Sequence, residues 1–169
     1  RRAIAEVLEI DVLGDPPSIA DRLMLVRSHL EAGDTLAAEQ ALQAIQTLEL
    51  ETASLDDKTS HLALRARLDQ GDARAAFAAR RASLVSTEIG LDASVDSALT
   101  ALLLQDRETA CALAGRLFEQ GSIRPVFAQL RSAFAAGGLE HEFREMQKLA
   151  ALSRIGIAGA RAPEAPQAG

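Results

Sequence analysis

Three histidines, one cysteine and two similarly placed arginines are the residues whose types and spacing could do chemistry. His29, His61 and His141 lie far apart, and none has a histidine four residues away, so no helix face carries the paired imidazoles of a zinc hydrolase. The single Cys111 can form no internal disulfide and no cysteine-based zinc site. Its neighbours Ala110, Ala112 and Leu113 put it on an apolar helical stretch, where a buried thiol is inert. Gly137 and Gly138 make too short a run for a phosphate loop and lack its lysine. With no nucleophile beside a base and no ligand set, the chain reads as non-catalytic, with no metal and no cofactor.

Arg27 and Arg65 offer binding chemistry instead. Each stands six residues before a glycine, Gly33 and Gly71. If those glycines mark equivalent turns, the two guanidiniums project from equivalent places on neighbouring helices and can grip carboxylates with forked, charge-assisted bonds. Met24 falls on the same wall, and His61, four residues before Arg65, adds a polar contact. These four are the candidate partner-binding residues, against the plainer reading that both arginines are solvated and paired with local acids. Residues 31–57 carry seven acidic side chains and no basic one, whereas 65–81 carry five arginines against two Asp; neighbouring helices that complement each other's charge account for this.

The elements that must position these groups are helices. The 169 residues are 48% hydrophobic, enough for one domain of ordinary size, and no apolar run approaches the roughly 20 residues of a bilayer-spanning helix, so direct membrane insertion is excluded. A net charge of -6 and 3% aromatic content, all Phe, argue against a dedicated nucleic-acid binder, which needs basic excess and stacking platforms. The bias of 16 Arg to 2 Lys reads as a high-GC bacterial genome. Residues 4–13 are interrupted by Glu6, Glu9 and Asp11 and make no signal-peptide core. The compartment stays open, with the cytoplasm preferred slightly over the periplasm.

Along the chain, Pro16 and Pro17 stop any helix and Ser18 can cap the next, which predicts helices over 19–32 and 35–50 around the Gly33-Asp34 turn. The same punctuation at Gly71-Asp72 and, more weakly, at Gln105-Asp106 predicts pairs over 55–70 with 73–89 and over 94–104 with 108–120. A last pair, 125–136 with 139–155, flanks Gly137-Gly138. The Asp residues of successive turns are spaced 38 and 34 apart, a period typical of helix-hairpin repeats. Residues 1–155 thus form one helical-repeat domain, and 156–169, built from Ala, Gly and Pro, read as a flexible tail or linker.

The stretch Leu25-Val26-Arg27-Ser28-His29-Leu30-Glu31-Ala32-Gly33-Asp34, followed by Ala38, Leu42 and Ile45, resembles a tetratricopeptide repeat. The likeness is good over about 30 residues. Later units keep only part of the pattern: Ala63, Leu64 and Ala76 in the second, and Ala98, Ala101, Ala110, Ala114 and Leu117 in the third. The family's tryptophan, tyrosines and closing proline are missing throughout. The resemblance implies an all-α fold, antiparallel helix hairpins stacked as a short tetratricopeptide-like α-α superhelix, whose first helices line a groove for a protein or peptide. The expected function is a non-catalytic binding scaffold for an acidic protein or peptide, as a domain of a larger bacterial secretion or envelope assembly. The alternative is a structural subunit of a permanent helical homo-oligomer with no separable ligand.

Overall fold

Of the 169 residues, the computed structural model describes 17–161, with side chains as far as Arg154. Polar caps set the helix starts. Ser18 and Ser54 accept hydrogen bonds from the amides of Asp21 and Asp57 at 3.2 and 3.1 Å, and Asp34 and Asp106 do the same for Ala37 and Thr109. The resulting α-helices are α1 (Ile19–Glu31), α2 (Thr35–Gln43), α3 (Thr47–Glu51), α4 (Leu55–Arg67), α5 (Ala73–Ser86), α6 (Leu91–Leu103), α7 (Arg107–Gln120), α8 (Phe127–Ala136) and α9 (Glu140–Arg161). A short 3-10 turn, Arg124–Val126, leads into α8, and no strand occurs among the described residues.

Short turns force α1 and α2, α4 and α5, α6 and α7, and α8 and α9 into antiparallel hairpins. The hairpins stack in two layers: α1, α4, α6 and α8 pack in succession as first helices, and α5, α7 and α9 as second helices behind them. The protein is therefore all-α, a stack of antiparallel helix hairpins. A small core of Leu23, Val26, Ala38, Leu42 and Ile45 fills the first hairpin and is joined to the rest by Leu64. The larger core runs from Ala63 to Phe143. At its far end Phe118, Phe127, Phe134 and Phe143 meet edge-on or tilted, with ring centroids 5.1–6.3 Å apart.

The repeat is measured from helix start to helix start. α1, α4, α6 and α8 begin at Ile19, Leu55, Leu91 and Phe127, 36 residues apart each time, against the 34 of the tetratricopeptide pattern. The left-handed residue closing each of the first three, Gly33, Asp69 and Gln105 (φ 74°, 54° and 61°), keeps the same spacing. The next amide in each turn reaches back to His29, Arg65 or Ala101 at 2.8–3.0 Å, the double bond pattern that finishes a helix. The turns fall close to Gly33, Gly71, Gln105 and Gly137, as expected, but the second, residues 68–72, is two residues longer than the first and third. Gly71 is an extra left-handed residue of that longer turn and not the counterpart of Gly33. Spacings of 38 and 34 between turn aspartates reflect this insertion.

Three boundaries differ from expectation for identifiable reasons. The expected single helix over 35–50 breaks after Gln43, because Glu49 turns back to accept from the Gln46 amide at 3.1 Å and is held there by Arg22 at 2.8 Å, starting α3 afresh. Helix α5 stops at Ser86 and not at Ile89, its last carbonyls taken by Arg116, whose Nη atoms donate to Leu84, Val85 and Thr87 at 2.7–3.0 Å. At the other end α9 continues through residues 156–161, where a tail was expected; residues 1–16 and 162–169 lie outside the described part of the chain.

Candidate binding groove

One long-range contact ties the layer of first helices together. Arg27 on α1 reaches past α4 to Asp96 on α6, with Nε 3.0 Å from both carboxylate oxygens and Nη2 2.6 Å from Oδ2. In a flat layer α1 and α6 would be about 18 Å apart, twice the usual interaxial distance. The direct ion pair bridges the first and third hairpins across α4. On the way Arg27 Nη2 also donates to Ser60 Oγ of α4 at 3.1 Å, so one guanidinium ties three successive hairpins together.

Asp96 is 4% exposed on the most apolar of the helices. Burial pushes its carboxyl above the usual range, against the opposing bonds from Arg27. For Arg27 burial works against the charge, but Asp96 outweighs it and the guanidinium is held more firmly protonated. Three short bonds commit Arg27 to Asp96.

Two cavities open beside the first helices and share two lining residues. The smaller, about 170 Å³, runs from Arg27, Leu30 and Glu31 past Asp92, Val95 and Asp96 to Val126 and Gln129. The larger, about 750 Å³, is lined by Leu99, Leu102, Leu103 and Leu139, by Ala133, Ala136 and Gly137, and by Gln105 and Arg107. Arg67 and Leu99 line both. Arg107 is engaged by Glu142 at 3.0 Å. Arg67, the last residue of α4, is half-buried, and burial lowers its pKa against an upward pull from Asp96. Among the described residues no carboxylate forms an ion pair with it.

The four residues singled out from sequence do not converge. Measured on the 36-residue period, Arg65 corresponds to His29, while Arg27 corresponds to Ala63 and Leu99, so the two arginines are two positions out of step, about 200° around a helix. Their supposed equivalence came from the turn insertion. Arg27 is spent on Asp96. Arg65 folds over its own turn, its Nη2 3.1 Å from where a side chain on Gly71 would begin. His61 is 9% exposed, and burial together with the charge of Arg65 lowers its pKa to about 4, leaving a neutral core imidazole. Met24, 54% exposed, holds in α1 the register position of Ser60 and Asp96. The charge asymmetry is also not spent as expected: among the described residues no ion pair joins an acid of 31–57 to an arginine of 65–81, and Glu49 goes to Arg22 while Arg74 takes Asp69 within its own turn.

Sequence reasoning missed Asp96 and Arg67. A lone carboxylate in the run Ala93-Ser94-Val95-Asp96-Ser97-Ala98 was a visible signal for Asp96, and the caps Ser18 and Ser54 already carried the 36-residue period that places it. Nothing local marks Arg67. That it lines both cavities is a tertiary property. Cys111 is half-buried, and burial raises its thiol pKa. Among the described residues no group of three or more His, Cys, Asp or Glu side chains is placed to hold a metal ion, and no helix is long and apolar enough to cross a membrane. Comparison with protein-family models, curated proteins and solved structures gives no match.

Proposed function

We propose that the protein is a non-catalytic scaffold of tetratricopeptide-like character that holds a segment of a partner protein in the groove along its first helices. The observation that carries this reading is the leucine-walled cavity of about 750 Å³ between α4, α6 and α8, a size and lining suited to apolar side chains of a bound segment. Bacterial secretion or envelope assembly remains the setting this reading favours. A random dodecapeptide display library panned over the full chain tests it. Peptides that bind the parent but not Ala136→Trp, which fills the groove from an exposed position at the end of α8, are the expected result. An empty selection, or one indifferent to Ala136→Trp, rejects the groove.

The alternative of a permanent homo-oligomer draws on a different feature. Leu149 and Leu152 lie three residues apart on α9 and are 65% and 62% exposed, an apolar stripe on the outermost second helix. Light scattering across a dilution series separates the two, since a fixed oligomer that loses its mass on Leu149→Glu supports the alternative.

A further inference from the structure

We propose that a third cavity, at the outer end of the stack between α8 and α9, binds a small organic anion with an apolar ring, its acid group held by Arg131. The site is separate from the groove and stands whether or not the groove holds a peptide. Its volume of about 300 Å³ is at the lower end of the range for small-molecule sites. Half-buried Phe127 gives it an apolar floor, backed by the sealed ring of Phe143 with 5.5 Å between centroids. Neither of the other two cavities is lined by an aromatic ring. Arg131, Arg144 and Lys148 line it against one acid, Glu140. Glu140 is taken by Arg144 at 2.7 Å, and Lys148 goes to Glu145 at 3.2 Å. Among the described residues Arg131 forms no ion pair. Three cations against one carboxylate leave the lining at +2 on a chain of net charge -6, a local field that draws anions.

The repeat argues against a further helix as the occupant. On the 36-residue period Arg131 corresponds to Leu23, Thr59 and Val95, all of them buried. Only α8 sets an exposed charge at that place. A further hairpin or a second copy packed there would strip water from three cations with one carboxylate on hand. A small anion asks for none of this. Its acid group accepts charge-assisted bonds from Arg131, its ring lies against Phe127, and the outer cations stay in water. A nucleic-acid strand needs a longer basic track and a series of open rings. The ligand class that fits is an aromatic carboxylate, sulfonate or phosphate ester.

Anilinonaphthalene sulfonate and N-phenylnaphthylamine, the same rings without the sulfonate, make the probe pair. Fluorescence titration of the full chain should show the anionic dye bound about tenfold or more tightly than the neutral one, the size of one charge-assisted bond. Added salt should shrink that advantage. Arg131→Gln should bring the two dyes to equal affinity, and Arg131→Lys should keep part of the difference. Because Arg131 is exposed and has no ion-pair partner among the described residues, both variants should unfold at the parental temperature. Gln147→Trp, which fills the cavity from an exposed position, should remove the binding of both dyes, and Arg80→Gln on α5 should change nothing. Equal affinities on the unaltered protein, an anion preference that survives Arg131→Gln, or dye binding indifferent to Gln147→Trp overturns the proposal. So does the absence of binding by either dye.

Discussion

Asp96 is sealed in the molecule while its partner Arg27 is not: the carboxylate is 4% exposed and the guanidinium side chain 24%. Removing one or the other therefore leaves different debris. Arg27→Ala strands a buried carboxylate and should cost about 3 kcal/mol, whereas Asp96→Ala leaves a guanidinium that can turn to water and should cost clearly less. The double variant should be more stable than Arg27→Ala alone. Urea unfolding of the three variants measures this, and equal costs for the two single changes would show that the pair is not desolvated as described.

The same pair carries a kinetic expectation. Stacked repeats interact with nearest neighbours, so an array can fray hairpin by hairpin. Arg27 joins the first hairpin to the third, and its loss should uncouple hydrogen exchange in α1 and α2 from exchange in α6. Amides of α1 that continue to exchange together with α6 in Arg27→Ala would contradict this.

His61 makes stability pH-dependent with a definite sign. Its folded pKa of about 4 lies below the ordinary 6.5, because burial and the charge of Arg65 disfavour the imidazolium. The unfolded chain thus binds the extra proton first, so the stabilisation present above pH 6.5 is lost as pH falls towards 4. Its slope is at most about 1.4 kcal/mol per pH unit. His61→Leu, which copies Leu25 at the same register position in α1, should remove that component. Unfolding curves between pH 4 and 7 check it, as does an imidazole titration by NMR.

Gly90 begins α6 where Ser54 begins α4, and the difference is Asp56. Its carboxylate accepts from the Gly90 amide at 2.9 Å and stands 2.6 Å from where a side chain would start. Gly90→Ser should expel Asp56 and cost about 1 kcal/mol, yet be neutral or mildly stabilising in an Asp56→Ala background. A double-mutant cycle by thermal unfolding reads the coupling. Additive effects would mean that the carboxylate moves aside freely.

The turn residues give opposite signs at equivalent places. Gln105 sits at φ 61° with a side chain, and Gly33 at φ 74° without one and with nothing within 4 Å of its missing Cβ. Gln105→Gly should gain about 1 kcal/mol and Gly33→Ala should lose a similar amount, shifts of about 2–4 °C in Tm for a chain of this size. Shifts of the same sign at both positions would contradict the shared register.

Helical class, hairpin pairing and turn placement were legible in the sequence because capping residues and apolar periodicity are local. Ser18, Asp34, Ser54 and Asp106 each act on an amide three residues away. The register of the groove was less legible. A turn of five residues and one of three look alike when a glycine and an aspartate stand at the end of both, and a slip of two positions put Arg65 where Ala63 belongs as the counterpart of Arg27. The breaks in the second and fifth helices were not legible at all, since Arg22 and Arg116 act from 27 and about 30 residues away.

The 36-residue period survives the longer second turn because the link after α5 is correspondingly short, residues 87–90, so α6 starts in phase. The inner wall and the outer wall are thus under different rulers. A length change in a turn or link shifts where the next helix starts, while the face that helix buries is set by its own apolar residues. Extending or shortening this protein by recombination is therefore a matter of cutting at the caps: a segment taken from Ser18 to the residue before Ser54 carries one whole hairpin with its own start signal. Copying it inside the first three hairpins would still separate Arg27 from Asp96, so the natural place for a graft lies beyond α6.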